Sequence, residues 1–152
     1  MKETARIDNL LQCAFEGNAW HGPAVREVLA GVTAKDAISK PIASAHSIWE
    51  LVLHIAAWSE IVRRRVAGEQ FVVTAEMDWP AVTSADESAW NIAKDILERA
   101  QASLRQVVAA LPESRLDEIP FKDGPSVYVL LHGVIQHHIY HAGQIAMLKK
   151  AL

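Results

Sequence analysis

The chain has 152 residues, 51% of them hydrophobic, with 15 Lys plus Arg set against 18 Asp plus Glu for a formal charge of -3. That length suits one domain over residues 1–152, and the short basic groups Arg63-Arg64-Arg65 and Lys149-Lys150 are too small and local to make nucleic acid a partner. Cys13 is the only cysteine, which excludes an intrachain disulfide and a cysteine-cluster metal site, and no apolar run approaches the roughly 20 residues of a membrane span. The first residues also lack an apolar leader, so a cytoplasmic protein is expected.

The first periodic segment, Thr4 to Glu16, places Ile7, Leu10, Leu11, Ala14 and Phe15 on one stripe and predicts a helix that leaves at Gly17. Trp20-His21-Gly22-Pro23 interrupts it, and Pro23 opens a short helix stopped by Gly31. Thr33 to Ser44 has no sustained period and is expected to be a linker. A second long helix is predicted from Ser47 to about Ala67, because Ser47-Ile-Trp-Glu50 fits a reciprocal capping box. Its stripe reads Ile48, Leu51, Val52, Ile55, Trp58, Ile61 or Val62, and Val66. Phe71 to Pro80 reads as a loop or a short extended piece. Ser84-Ala-Asp-Glu87 offers another capping box before a third helix bearing Ala89, Ala93, Ile96, Leu97, Ala100, Leu104, Val107, Val108 and Leu111, ended by Pro112. Asp123-Gly-Pro-Ser126 is a turn, and a fourth helix follows nearly to the end, although Val127-Tyr-Val-Leu-Leu opens it with strand-like residues. Four amphipathic helices bury their stripes most simply as an all-α four-helix bundle, and the two longer connections leave room for a crossover.

The chemistry lies in His132-Gly-Val-Ile-Gln-His137-His138-Ile-Tyr-His141-Ala-Gly-Gln144, which holds four of the seven histidines. His137 and His141 are one helical turn apart and fall in the series 130, 134, 137, 141, 145, 148, where a bundle otherwise wants leucine. An inward imidazole must be hydrogen-bonded or metallated, since unpaired burial costs on the order of 1 to 3 kcal/mol. His54, beside core-facing Leu51, Ile55 and Trp58, is the expected third ligand, because facing helices about 8 to 10 Å apart can place nitrogens around one ion. Three histidines with an open position suit Zn, Ni, Fe or Mn. Gln144 is placed to bond a ligand ring, Trp58 to form a pocket wall, and His138 to support the site or face solvent. His21 beside Trp20 is a candidate for a pocket mouth, against the simpler reading of Trp20 as a loop anchor of the first crossover; His132 is a candidate for packing or an entrance, His46 for a cap or the surface, and Glu50 for capping more than for orienting His54. Cys13 reads as an inert thiol on an apolar helix, and no His-Glu-x-x-His or glycine-rich phosphate loop is present.

Ser47-Ile-Trp-Glu-Leu-Val-Leu-His54-Ile-Ala-Ala-Trp58 and Leu131-His-Gly-Val-Ile-Gln-His137-His-Ile-Tyr-His141-Ala-Gly-Gln144-Ile together resemble the DinB-like superfamily, which includes YfiT-type metal-dependent hydrolases and bacillithiol transferases. The resemblance spans nearly the whole chain. It implies a four-helix bundle with up-down-down-up connectivity, often a homodimer, and a divalent metal on His54, His137 and His141. Ala142 departs from the pattern, since many relatives carry arginine there, which implies a missing cationic contact. The expected function is a thiol transferase acting on small electrophilic substrates, with a low-molecular-weight thiol as cosubstrate. The alternatives are a hydrolase using metal-bound water and a non-catalytic metal- or ligand-binding stress protein.

Overall fold

The computed structural model describes residues 1–152 and is helical throughout, in the order α1 (Glu3–Glu16), α2 (Val25–Leu29), α3 (Ala34–Ile38), α4 (Ile48–Val66), α5 (Ala75–Asp78), α6 (Glu87–Ala110), a 3-10 turn (Glu113–Arg115) and α7 (Val127–Lys150). The four long helices form the bundle: α4 packs against α6 and α7, and α1 packs against the same two. No helix is long and apolar enough to cross a membrane.

Helix directions follow from which ends meet. Trp49 and Trp90, near the starts of α4 and α6, lie 5.1 Å apart ring to ring, so those helices run parallel. Ala142, Ile145 and Leu148 of α7 share a cluster with Ile48 and Trp49, whereas Val127 and Leu130 share another with Val62 and Val66, so α7 runs against α4. On α1, Ile7 near the start shares a cluster with Leu104 and Val108 of the second half of α6 while Phe15 near the end packs in the cluster holding Leu97, so α1 opposes α6. The connectivity is up-down-down-up. Parallel α4 and α6 require the chain between them to travel back along the bundle, and α5 lies on that return path.

Two apolar clusters make up the core. One gathers Phe15, Ile48, Trp49, Ile55, Trp90, Leu97 and Ile145, and the other Ile7, Leu11, Val62, Val66, Leu104, Leu131 and Val134. Buried His54, Ser59, His138 and His141 are polar residues among these apolar stripes of α4 and α7. Arg105 ties α6 to α1 through Asp8 at 2.8 Å and Glu16 at 3.0 Å, and the Trp90 indole donates to the Val32 carbonyl at 2.9 Å. Leu10 and Ile96, expected on core stripes, are 45% and 42% exposed, because Leu11 and Leu97 occupy the inward positions beside them.

Several local expectations need correction. The supposed linker contains α3, capped by reciprocal bonds between Thr33 and Asp36. The segment from Phe71 to Pro80 contains α5, with the Thr74 hydroxyl accepting from the Met77 amide. Ser47 and Glu50 form the expected box, but α6 is capped by Asp86, whose carboxylate accepts from the Ala89 amide at 2.8 Å. Ser84 only donates to Asp86, and Glu87 accepts from the Ala34 amide, which joins α6 to α3. The strand-forming residues at 127–131 are helical because Ser126 caps the first turn, and the Val127 and Tyr128 amides are met by the carbonyls of Glu118 and Leu116. Ser47→Ala and Asp86→Ala should each cost about 1 kcal/mol by urea unfolding, whereas Ser84→Ala should cost less than about 0.5 kcal/mol. Equal losses at Ser84 and Asp86 would contradict the cap assignment.

Candidate metal centre

The antiparallel contact of α4 with α7 brings His54 to His137 and His141. His137 and His141 share a face of α7 by their four-residue spacing, and His54 faces them from the middle of α4. His137 Nε2 lies 2.9 Å from His54 Nε2 and 3.1 Å from His141 Nε2, and the potential ligand atoms of all three lie within 4.8 Å of one another.

The outer nitrogens determine what the inner ones present. His54 Nδ1 is 2.6 Å from the Asp78 carbonyl, which can only accept, so Nδ1 carries the proton and Nε2 offers a lone pair. His141 Nδ1 donates to Gln144 Oε1 at 2.6 Å, with the same result at its Nε2. His137 Nε2 therefore faces two lone pairs. A single N–H on His137 can satisfy only one of them, and its Nδ1 is buried without a partner. A cation resolves this conflict for all three nitrogens, so the donor set fits a divalent ion bound by three neutral imidazoles.

Electrostatics keep the rings neutral. Burial pushes His137 down to about 3, with the charges of His141, His54 and His138 adding to the effect. Burial also lowers His54 against the opposing pull of Asp78, and lowers His141 against its bond to Gln144. His138 is completely buried and is pushed down to about 4, chiefly by desolvation. Ser59 donates to the Ile55 carbonyl, so its oxygen accepts from His138 Nε2 at 3.0 Å, which anchors α7 to α4 behind the triad.

Asp78 and Trp79 are the site residues that sequence reasoning missed. Besides its carbonyl bond to His54, Asp78 accepts from the Trp58 indole at 2.7 Å. Trp79 stacks on His54 at 3.8 Å and on His46 at 3.6 Å, so the indole is clamped between two imidazoles. Both residues come from the return connection, whose path to His54 is set by topology and leaves no mark in local periodicity. The adjacent aromatic and acidic residues were the available signal.

Of the other candidates, Gln144 and Trp58 stand beside the triad, with Trp58 5.9 Å from His137. His138 is a buried tie and not a surface group. Trp20 and His21 lie exposed in the turn before α2, Trp20 at 102% relative exposure. His132 packs against Tyr128 at 4.3 Å. Glu50 serves Ser47 and Lys40. Cys13 is half-buried, its thiol 4.0 Å from the Asn9 side chain. Ala142 is buried in the core, on a different face of α7 from the converging nitrogens of His137 and His141.

Two clefts flank the triad. One of about 350 Å³ is lined by Trp58, Arg65, Val129, Gly133 and His137. Another of about 500 Å³ is lined by His46, Leu51, Tyr140, Gln144 and Met147.

The depressed histidines make the metal-free protein sensitive to acid. Unfolded histidines gain protons near pH 6.5 while the folded rings do not, so stability is complete above that value and declines as pH falls toward about 4 and then 3. Between pH 7.5 and 5, one histidine held neutral should account for about 2 kcal/mol. Urea midpoints of metal-stripped protein should fall across this range, and His138→Gln should reduce the slope. A flat profile from pH 7.5 to 5 would contradict the assignment of buried neutral rings.

No curated protein and no solved structure matches the chain. The sequence model of the DinB superfamily matches residues 19–145, a span that includes α2 through most of α7 and all three histidines of the triad. The chain belongs to the DinB superfamily.

Proposed function

We propose that the chain is a metal-dependent transferase that joins a low-molecular-weight thiol to a small electrophile. The observation that carries this reading is the convergence of three neutral Nε2 atoms, two with their tautomers fixed from behind, beside an apolar cleft large enough for a small molecule. Zn, Ni, Fe or Mn bound there would lower the pKa of a ligating thiol and place its sulfur for attack. In the overall reaction a sulfur–carbon bond forms, the leaving group departs with its electron pair, and the thiol proton passes to solvent.

The protein's own residues orient and exclude water. Asp78 and Gln144 hold the ligand rings, while Trp79 covers His54 and Trp58 walls the cleft beside His137. The cleft beside His137 is walled mainly by apolar side chains, which suits a small electrophile with a hydrocarbon body. A small-molecule substrate, a cytoplasmic setting and a homodimer complete the reading.

The test pairs several cellular thiols with an alkylating electrophile and follows loss of free thiol, using metal-loaded, metal-stripped, His54→Ala and His141→Ala protein. Turnover should require the loaded wild-type chain, and both variants should lose bound metal. Ester or amide cleavage without thiol would establish the hydrolase instead. Metal binding with neither activity would leave a metal-binding stress protein, and unchanged metal content in both variants would overturn the three-histidine centre.

A further inference from the structure

Three consecutive arginines close α4, and they meet different fates. Arg63 pairs with Glu60 at 2.6 Å and Arg64 with Glu69 at 2.7 Å. The Arg65 side chain forms no ion pair or hydrogen bond, and its buried Nε has no partner. Its guanidinium lies 4.3 Å from the Phe121 ring centre, 5.7 Å from Phe71 and 6.0 Å from Trp58. The aromatic surroundings stabilise the cation from its faces. They supply no acceptor for its in-plane N–H groups, which project from the guanidinium edge. Burial lowers its pKa, but arginine remains protonated at neutral pH.

The same guanidinium lines the apolar cleft of about 350 Å³ that reaches His137. Trp58 is the shared neighbour, 6.0 Å from the Arg65 guanidinium and 5.9 Å from the His137 ring. The remaining wall includes Val62, Val129, Leu130 and Val134. An unpaired planar cation and an apolar wall bordering a metal-ligand histidine form a defined chemical pattern. The cation wants a bidentate anion, the wall wants a hydrocarbon or aromatic body, and the histidine end locates the reacting group.

We propose that this cleft binds a small amphipathic carboxylate, with Arg65 holding the carboxylate and Trp58 packing against the apolar body. Calling that ligand a substrate rests on the transferase reading above; the binding site itself does not. Arg65 acts as a specificity residue by offering its guanidinium edge to a ligand that carries a charged acceptor of matching geometry.

The probes are 4-phenylbutyrate and its uncharged amide, titrated by tryptophan fluorescence and calorimetry into the full chain, both zinc-loaded and metal-stripped. In both states the acid should bind at least about tenfold more tightly than the amide, a difference typical of a charge-assisted hydrogen-bonded pair. Arg65→Gln should bring the two within about threefold of each other, and Arg65→Lys should retain part of the preference. Gly133→Leu, where an added Cβ meets no atom within 4 Å, should fill the cleft and weaken both probes, which keeps the location testable if Arg65→Gln does not fold. Equal binding of acid and amide, a preference that survives Arg65→Gln, undiminished binding to Gly133→Leu, or no binding up to about 10 mM would each overturn the proposal. Because selection is read without metal, failure of the three-histidine centre would leave this result intact. Carboxylate-blind binding by a chain that loads metal would overturn the Arg65 site alone.

Discussion

The rest of the molecule is arranged around one electrostatic conflict. Three imidazoles approach a common point between α4 and α7, and the outer bonds of His54 and His141 force both to aim lone pairs at His137. Protonation would relieve the lone-pair contacts in water, but desolvation opposes charge on each ring. A divalent cation satisfies the arrangement without protonating any of them. The site is therefore a donor set whose geometry and protonation state agree.

The bundle topology supplies the supporting parts. Antiparallel α4 and α7 bring the three imidazoles together, and the His138–Ser59 bond ties the two helices behind them. Parallel α4 and α6 force the intervening chain back along the bundle, which carries Asp78 and Trp79 to His54. Asp78 then acts twice, holding His54 through its carbonyl and Trp58 through its carboxylate. In this way the up-down-down-up path contributes directly to the order of the site, since an ordinary hairpin between α4 and α6 would have no such return segment.

The sequence revealed the parts of this arrangement that depend on local periodicity. His137 and His141 followed the helical stripe, His54 followed the core-facing positions around Leu51 and Ile55, and the Ser47–Glu50 cap marked the start of α4. Gln144 was legible for the same reason, being one turn from His141. Residues whose role depends on tertiary path were hidden: Asp78 and Trp79 have no helical stripe to place them, and α3 and α5 are too short to show a period. His138 was ambiguous because a one-residue step around a helix separates two inward directions, one toward the triad and the other toward Ser59. Arg65 looked like one charge in a basic run, and only the pairing of its two neighbours with Glu60 and Glu69 set it apart.

The most direct measurement is X-ray absorption spectroscopy on the full chain loaded with one equivalent of Zn or Ni. Three imidazole nitrogens are expected in the first coordination sphere, at about 2.0 to 2.1 Å for Zn, with the characteristic outer-ring scattering of histidine. Loss of one imidazole contribution in His54→Ala would identify the ligand contributed by α4. A spectrum dominated by oxygen or sulfur, or one unchanged by His54→Ala, would contradict the three-histidine centre.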